Sequence, residues 1–202
     1  MVSNPLHPER SWGRLAPLRG SDKEPIVLAG DSRWLRGAYD SNMAVDNVAI
    51  RPTVPADSTA MIEIGRALPD WFNDQGLHEM AVDIDHQLGA VAHIDGQIVG
   101  FVTWFAAEGV GMIGWIAVSP DVHRSGIGAR LVEYAERRLA ASGATELRVD
   151  TLGESVDYEP YERTRAFYRA VGFVDFESVM TDNPGMPERL TLTKTIGDSG
   201  GD

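Results

Sequence analysis

The run MIGWIAVSPDVHRSGIGARLVEYAERRL, residues 112–139, constrains the chain more than any other feature. Its first eight residues are apolar or small and read as a buried strand, stopped at Pro120 and Asp121. From Gly126 to Ala141 the pattern is helical, with Leu131, Val132, Ala135 and Leu139 on one apolar face. Glu133 and Arg137 can pair at i, i+4 on the exposed side. Between strand and helix stand Gly126 and Gly128, where glycine is costly unless backbone must be exposed or closely approached. The first N–H groups of a helix have no partner within it. With the helix dipole behind them, the amides of Gly126, Ile127, Gly128 and Ala129 suit a phosphate or pyrophosphate, and Arg124 adds a cation.

Two common nucleotide sites are disfavoured. There is no GxxxxGK followed by Ser or Thr, so this is not the usual triphosphate loop. The GxGxxG spacing is missing too, and SPDVHR intervenes where a dinucleotide fold would turn tightly into its helix.

The rest of the chain supplies a mixed sheet around this unit. VAIRP is a first strand ending near Pro52, and residues 57–68 carry Ala60, Ile64 and Ala67 or Leu68 at helical spacing, with Asp57 or Ser58 as cap. A second short helix is expected over 69–80, weakened by Gly76. AVAHID and QIVGFVTWFA flank Asp95-Gly96, a strong hairpin signal, and Gly109 to Gly111 mark another turn. ELRVDTL reads as a strand, residues 160–170 as a helix ended by Gly172, and FVDFESVM and ERLTLTKT as closing strands joined by TDNPGMP. The expected order is β, one or two α, β, β, β, α, β, α, β, β. It implies an α/β (mixed α+β) fold: one central mixed, twisted sheet with helices on both faces. Residues 1–46 mix Pro, Gly and charge without a period and read as a loosely packed extension. Residues 47–197 are the expected domain and 198–202 a tail.

Composition narrows the chemistry. With no cysteine among 202 residues, disulfides, thiolate metal sites and cysteine nucleophiles are excluded. The net charge of -12 disfavours tracking of a nucleic-acid backbone, leaving a small anion held by amides, and leans towards a cationic substrate. The five His residues, at 7, 78, 86, 93 and 123, lack ligand spacing, so no metal is expected, and no G-x-S-x-G elbow is present. No apolar run is long enough to span a membrane and the start shows no leader pattern; the cytoplasm is the expected compartment.

The segment 112–139 resembles the acetyl-CoA-binding segment of the GNAT superfamily of N-acetyltransferases: an apolar strand ending in V-x-P, then Arg or Gln-x-x-Gly-x-Gly or Ala, then an amphipathic helix. Val118, Pro120, Gly126 and Gly128 match, with His123 at the Arg/Gln position and Arg124 beside it. A second match, YERTRAFYRAVGF at 161–173, resembles the family's F-Y-x-x-x-G-F ending through Phe167, Tyr168, Gly172 and Phe173; Tyr161 stands where an Asn is often found. The resemblance extends over roughly residues 48–196. It implies a GNAT-like fold and acetyl-CoA as cosubstrate. The amides of Arg124, Ser125, Gly126, Ile127, Gly128 and Ala129 would hold the pyrophosphate. The strand Ile116, Ala117, Val118 would run beside the pantetheine arm, through the backbone of Ile116 and Val118, with His123 next to it.

The resemblance further implies direct attack by a primary amine in a ternary complex, with Tyr168 as general acid for the CoA thiolate and a main-chain N–H near Val118 for the oxyanion. An amine must lose a proton and a thiolate must gain one, so a base is also sought. Relatives of this HR type carry a Glu where this chain has Met112; Glu108 is the nearby candidate, and His78, Glu79 and His86 are others. Trp71, Phe72, Trp104 and Trp115 are candidate pocket walls or core aromatics. Tyr158 and a helix face bearing Tyr161, Thr164 and Tyr168 are candidates for the acceptor side. The expected acceptor is a small-molecule amine or a protein amine, and a homodimer is common among such proteins. The alternative reading is a non-catalytic acyl-CoA-binding or sensing module, which the missing carboxylate at Met112 favours.

Overall fold

The computed structural model describes residues 47–197. The expected extension, 1–46, and tail, 198–202, lie outside the described residues. Seven strands form one sheet in the order β1-β2-β3-β4-β5-β7-β6. They are β1 (Ala49–Pro52), β2 (Leu88–Ile94), β3 (Gln97–Ala107), β4 (Val110–Val118), β5 (Glu146–Leu152), β6 (Val174–Met180) and β7 (Glu188–Thr195). All neighbours are antiparallel except β4 and β5. The helices are α1 (Ser58–Arg66), α2 (Asp74–Ile84), α3 (Ile127–Ala141) and α4 (Glu159–Ala170). The mixed α+β architecture is the one the sequence implies.

The two faces have separate cores. On one, α3 buries Ile127, Leu131, Val132, Ala135 and Leu139 against Ala90, Val102, Ile113 and Leu147, and Tyr168 and Phe173 complete the cluster. Each large aliphatic side chain so buried contributes roughly 1.5–3 kcal/mol. On the other face, Met61 and Ile64 of α1 and Met80 of α2 cover Val91, Phe101 and Ala117. Asp95 and Gly96 both take positive φ, as a tight right-twisting hairpin requires.

Two expectations need correction. The second helix spans Asp74–Ile84, not 69–80. Asn73 caps it, accepting from Gly76 N–H at 2.8 Å, so Gly76 lies in the first turn, where its flexibility costs little. Asp57 does not cap α1 with its side chain. Its carboxylate instead takes both guanidinium nitrogens of Arg51, at 2.7 and 2.8 Å, and Val54 N–H at 2.8 Å. Those bonds, led by Arg51, hold its pKa below the usual carboxylate range.

Candidate active site

A bulge in β4 creates the central feature. Val102 pairs with Ile116 but Trp104 with Ile113, so Gly114 and Trp115 together oppose Thr103. The extra residue bends the strand. Its amide, Trp115 N–H, is taken by Thr103 Oγ1 at 2.9 Å. Beyond the bend β4 no longer meets β5. The two pair only over Val110–Met112 against Glu146–Arg148. From Ile113 to Val118 β4 keeps β3 alone, and from Val149 to Leu152 β5 keeps β7 alone. The strands therefore part along a gap through the sheet, each keeping one neighbour.

The helix mouth stands past the open end of this gap. Gly126, the cap of α3, has φ 80°, a left-handed conformation, and a Cβ there would meet nothing within 4 Å. The first bond back into the helix is Arg130 N–H to Gly126 C=O at 3.1 Å, so the N–H groups of Ile127, Gly128 and Ala129 have no intrahelical partner. Arg124 also has positive φ, at 63°, and Ser125 Oγ donates to Val122 C=O at 2.6 Å, fixing the loop. Gly128 has a different reason from the one its sequence suggests. A Cβ there would lie 3.2 Å from the Phe167 ring, so the residue is small to let α4 pack on α3. His123 Nε2 lies 2.8 Å from Val118 C=O, the carbonyl that the resemblance gave to the pantetheine arm.

Helix α4 flanks the gap on the α3 face. Tyr168 is 4% exposed, between the rings of Phe167 and Phe173 at 5.2 and 5.5 Å. Burial, then the neighbouring Tyr161, pushes its phenol pKa well up; burial pushes Tyr161 up to about 12. The connection between α1 and α2 reaches over to α4: Trp71 Nε1 donates to Thr164 Oγ1 at 3.1 Å and Tyr158 OH to Asp70 C=O at 3.0 Å. The Trp71 ring stands edge-on to His123 at 6.5 Å. Trp71, His123, Tyr158 and Thr164 thus come together.

Other expected residues lie elsewhere. Glu108 is exposed, in the β3–β4 turn with φ 53°, at the end where β4 and β5 are still paired. At about 3.3 Å per residue it is roughly 13 Å short of the place where the strands part, so it is not brought to Tyr168. His78 and His86 are exposed, and Glu79 accepts from Gln75 along its own helix. Trp104 is 3% exposed in the α3-side core, whereas Phe72 and Trp115 pack on the α2 side with ring centroids 6.0 Å apart. The carboxylate that does stand on the parted stretch is Asp150. Its neighbours Leu147 and Val149 point into the α3-side core, so Asp150 faces the α2 side, where it accepts from Thr191 Oγ1 at 2.6 Å. The alternation in ELRVDTL carried that signal.

The arrangement can take an extended chain along the edge of β4 that β5 leaves, an anion at the mouth of α3, and a second reactant from the α2 face. A phenol kept protonated by burial is available as proton donor. Among the described residues, no three His, Asp or Glu side chains converge as a metal group, and no helix is long and apolar enough to cross a membrane.

Residues 85–175 match the family model for the Acetyltransferase (GNAT) domain. No curated protein matches the chain. Among solved structures, one described as an acetyltransferase of the GNAT family from Desulfovibrio desulfuricans is 21% identical, with TM-score 0.66, covering 73% of this chain and 98% of its own. The ribosomal-protein-S18-alanine N-acetyltransferase from Escherichia coli is 18% identical, with TM-score 0.60, covering 77% and 97%. An aminoglycoside 6'-N-acetyltransferase complexed with coenzyme A is 17% identical, with TM-score 0.58, covering 73% and 96%. At these identities the likeness is one of fold.

Proposed function

We propose that this chain, which belongs to the GNAT acetyltransferases through its 85–175 domain, moves an acetyl group from acetyl-CoA to a primary amine. The observation that carries the reading is the parting of β4 from β5 after Met112, with the left-handed Gly126 mouth at its open end and buried Tyr168 beside it. The residues present fit an acyl-CoA. Unpartnered amides at Ile127, Gly128 and Ala129 suit its two phosphates, the edge of β4 that β5 leaves beyond Met112 suits an amide-bearing arm, and open space stands over Gly126. His123 would leave the Val118 carbonyl if that carbonyl serves the arm.

Acetyl-CoA supplies an activated thioester when bound. The chain supplies orientation and proton transfer. Tyr168 holds its proton at neutral pH and gives it to the departing sulfur. Burial raises the pKa of a thiol in the same apolar surroundings, which keeps donor and acceptor matched. Asp150, on the parted strand and facing the α2 side, takes the proton from the amine; Glu108 stands too far along the hairpin for that task. The amine comes from a small molecule or a protein, and the acidic balance of the chain favours a cationic one.

Calorimetry with CoA and thiol release from acetyl-CoA across a panel of amines test the proposal. Binding with release that depends on the amine is expected. Binding without release for any amine would make the chain an acyl-CoA sensor; no binding would remove the reading altogether.

A further inference from the structure

Among the described residues, three buried side-chain atoms have no hydrogen-bond partner: Gln87 Nε2, Thr151 Oγ1 and Arg189 Nε. Folded proteins pair nearly all such atoms, so each calls for a cause. All three flank the parted strands. Thr151, 2% exposed, is on the free stretch of β5, and Arg189 on β7 pairs with Leu152 at its end. Gln87 lies against Gly114, just past the point where β4 leaves β5: a Cβ on Gly114 would fall 2.0 Å from Gln87 Oε1 and 2.9 Å from Nε2.

Of the three, Gln87 has its carboxamide oxygen engaged and its nitrogen unpaired. Thr103 Oγ1 accepts from Trp115 N–H at 2.9 Å and donates its single proton to Gln87 Oε1, at 2.7 Å. The carboxamide oxygen is thereby drawn towards β3. The nitrogen, with two N–H donors, is the branch left without a partner, over Gly114 where β4 has just left β5. The same Thr103 hydroxyl that satisfies the bulge thus engages the carboxamide oxygen and leaves an unused donor beside the point where the strands part.

We propose that Gln87 binds substrate in the acyl-transfer site, Nε2 donating to an oxygen at the point of transfer. The inference rests on the acetyl-transfer reading above. Two oxygens offer this chemistry. The acyl carbonyl oxygen gains negative charge as the amine adds, and a donor already oriented stabilises it without reorganisation. A carbonyl or hydroxyl oxygen of the amine substrate would instead make Gln87 a selector for amines that carry one, since a buried donor left unpaired disfavours analogues lacking it.

Two variants test it. Gln87→Met removes both donors at similar length; Gln87→Glu keeps an oxygen for Thr103 and puts an acceptor where the donor was. Each is assayed with acetyl-CoA and two amines of equal size, a plain alkylamine and an amino alcohol. If Nε2 holds the acyl oxygen, kcat falls about tenfold or more for both amines while KM holds. If it holds the amine's oxygen, KM rises about tenfold for the amino alcohol alone. Unchanged kcat and KM in Gln87→Met overturn the inference. The Met variant should bind CoA as wild type does; it removes an unpaired Nε2 but also the acceptor of the Thr103 hydroxyl, so its melt is read beside that of Gln87→Glu, which keeps that acceptor. A wild-type protein that binds no CoA or acetylates no amine would overturn the acetyl-transfer reading, and this inference with it.

Discussion

Replacing Tyr168 with Phe separates chemistry from packing. The ring is 4% exposed and touches Phe167 and Phe173 within the α3-side core. Truncation to Ala would cost roughly 3–5 kcal/mol and confuse any kinetic result. Phe keeps the ring and both aromatic contacts. It removes one hydroxyl, which donates to no protein group within the described residues, so the stability change should stay below about 1 kcal/mol. For a domain of this size that is a shift of no more than about 4 °C in Tm. A general acid contributes about 10²–10⁴ in rate, or roughly 2.7–5.4 kcal/mol at about 1.36 kcal/mol per decade. The kinetic loss should therefore exceed the folding loss several-fold. Thiol release under saturating amine, a thermal melt and calorimetry with CoA together measure it. The expected result is lost turnover, a near-native melt and unchanged CoA affinity. Turnover within about threefold of wild type, with the melt preserved, would refute the role given to Tyr168.

The two glycines of the helix mouth should behave differently. Gly126→Ala forces a Cβ into the left-handed region, costing about 1–2 kcal/mol, and the Cβ projects into the open space at the mouth, so CoA affinity should fall. Gly128→Ala meets only the edge of the Phe167 ring at 3.2 Å, which can shift by a few tenths of an ångström, so its CoA affinity should change less; calorimetry giving the reverse order would argue against phosphate binding at this mouth. Hydrogen bonds from Ser155, then Ser178, hold the Glu188 carboxyl down at about 2. Its stabilisation is present above the ordinary carboxylate value of about 4.3 and is lost as pH falls through about 2. Glu188→Gln should flatten the acid limb of a denaturant-midpoint profile over that window, and an unchanged slope would exclude the contribution.

What the sequence made legible, and what it hid, follows from the range of the interactions. The glycine loop was legible because strand, stop, glycines and amphipathic helix are consecutive, and each signal is local. Yet Gly126 and Gly128 look alike in sequence and differ in cause: one needs a left-handed backbone, the other the approach of Phe167 from 39 positions away (167 minus 128). The second helix starts later than its sequence suggests because Gly76, which reads as an interior glycine, belongs to the cap that Asn73 makes. Trp115 could not be assigned a face, since the bulge at Gly114 and Trp115 shifts the alternation along β4. The same bulge decides the site. It parts β4 from β5, leaves Asp150 as the carboxylate on the parted stretch, and brings Thr103 and Gln87 together over Gly114. A single extra residue in one strand thus converts a closed ladder into a gap, and its amide needs a side-chain acceptor that then orients a donor beside that gap. No periodicity reveals this, because the bulge shows only in the pairing of β3 with β4. Removing Thr103 would therefore release both the Trp115 amide and the Gln87 carboxamide, which is why the site is better probed at Gln87 itself.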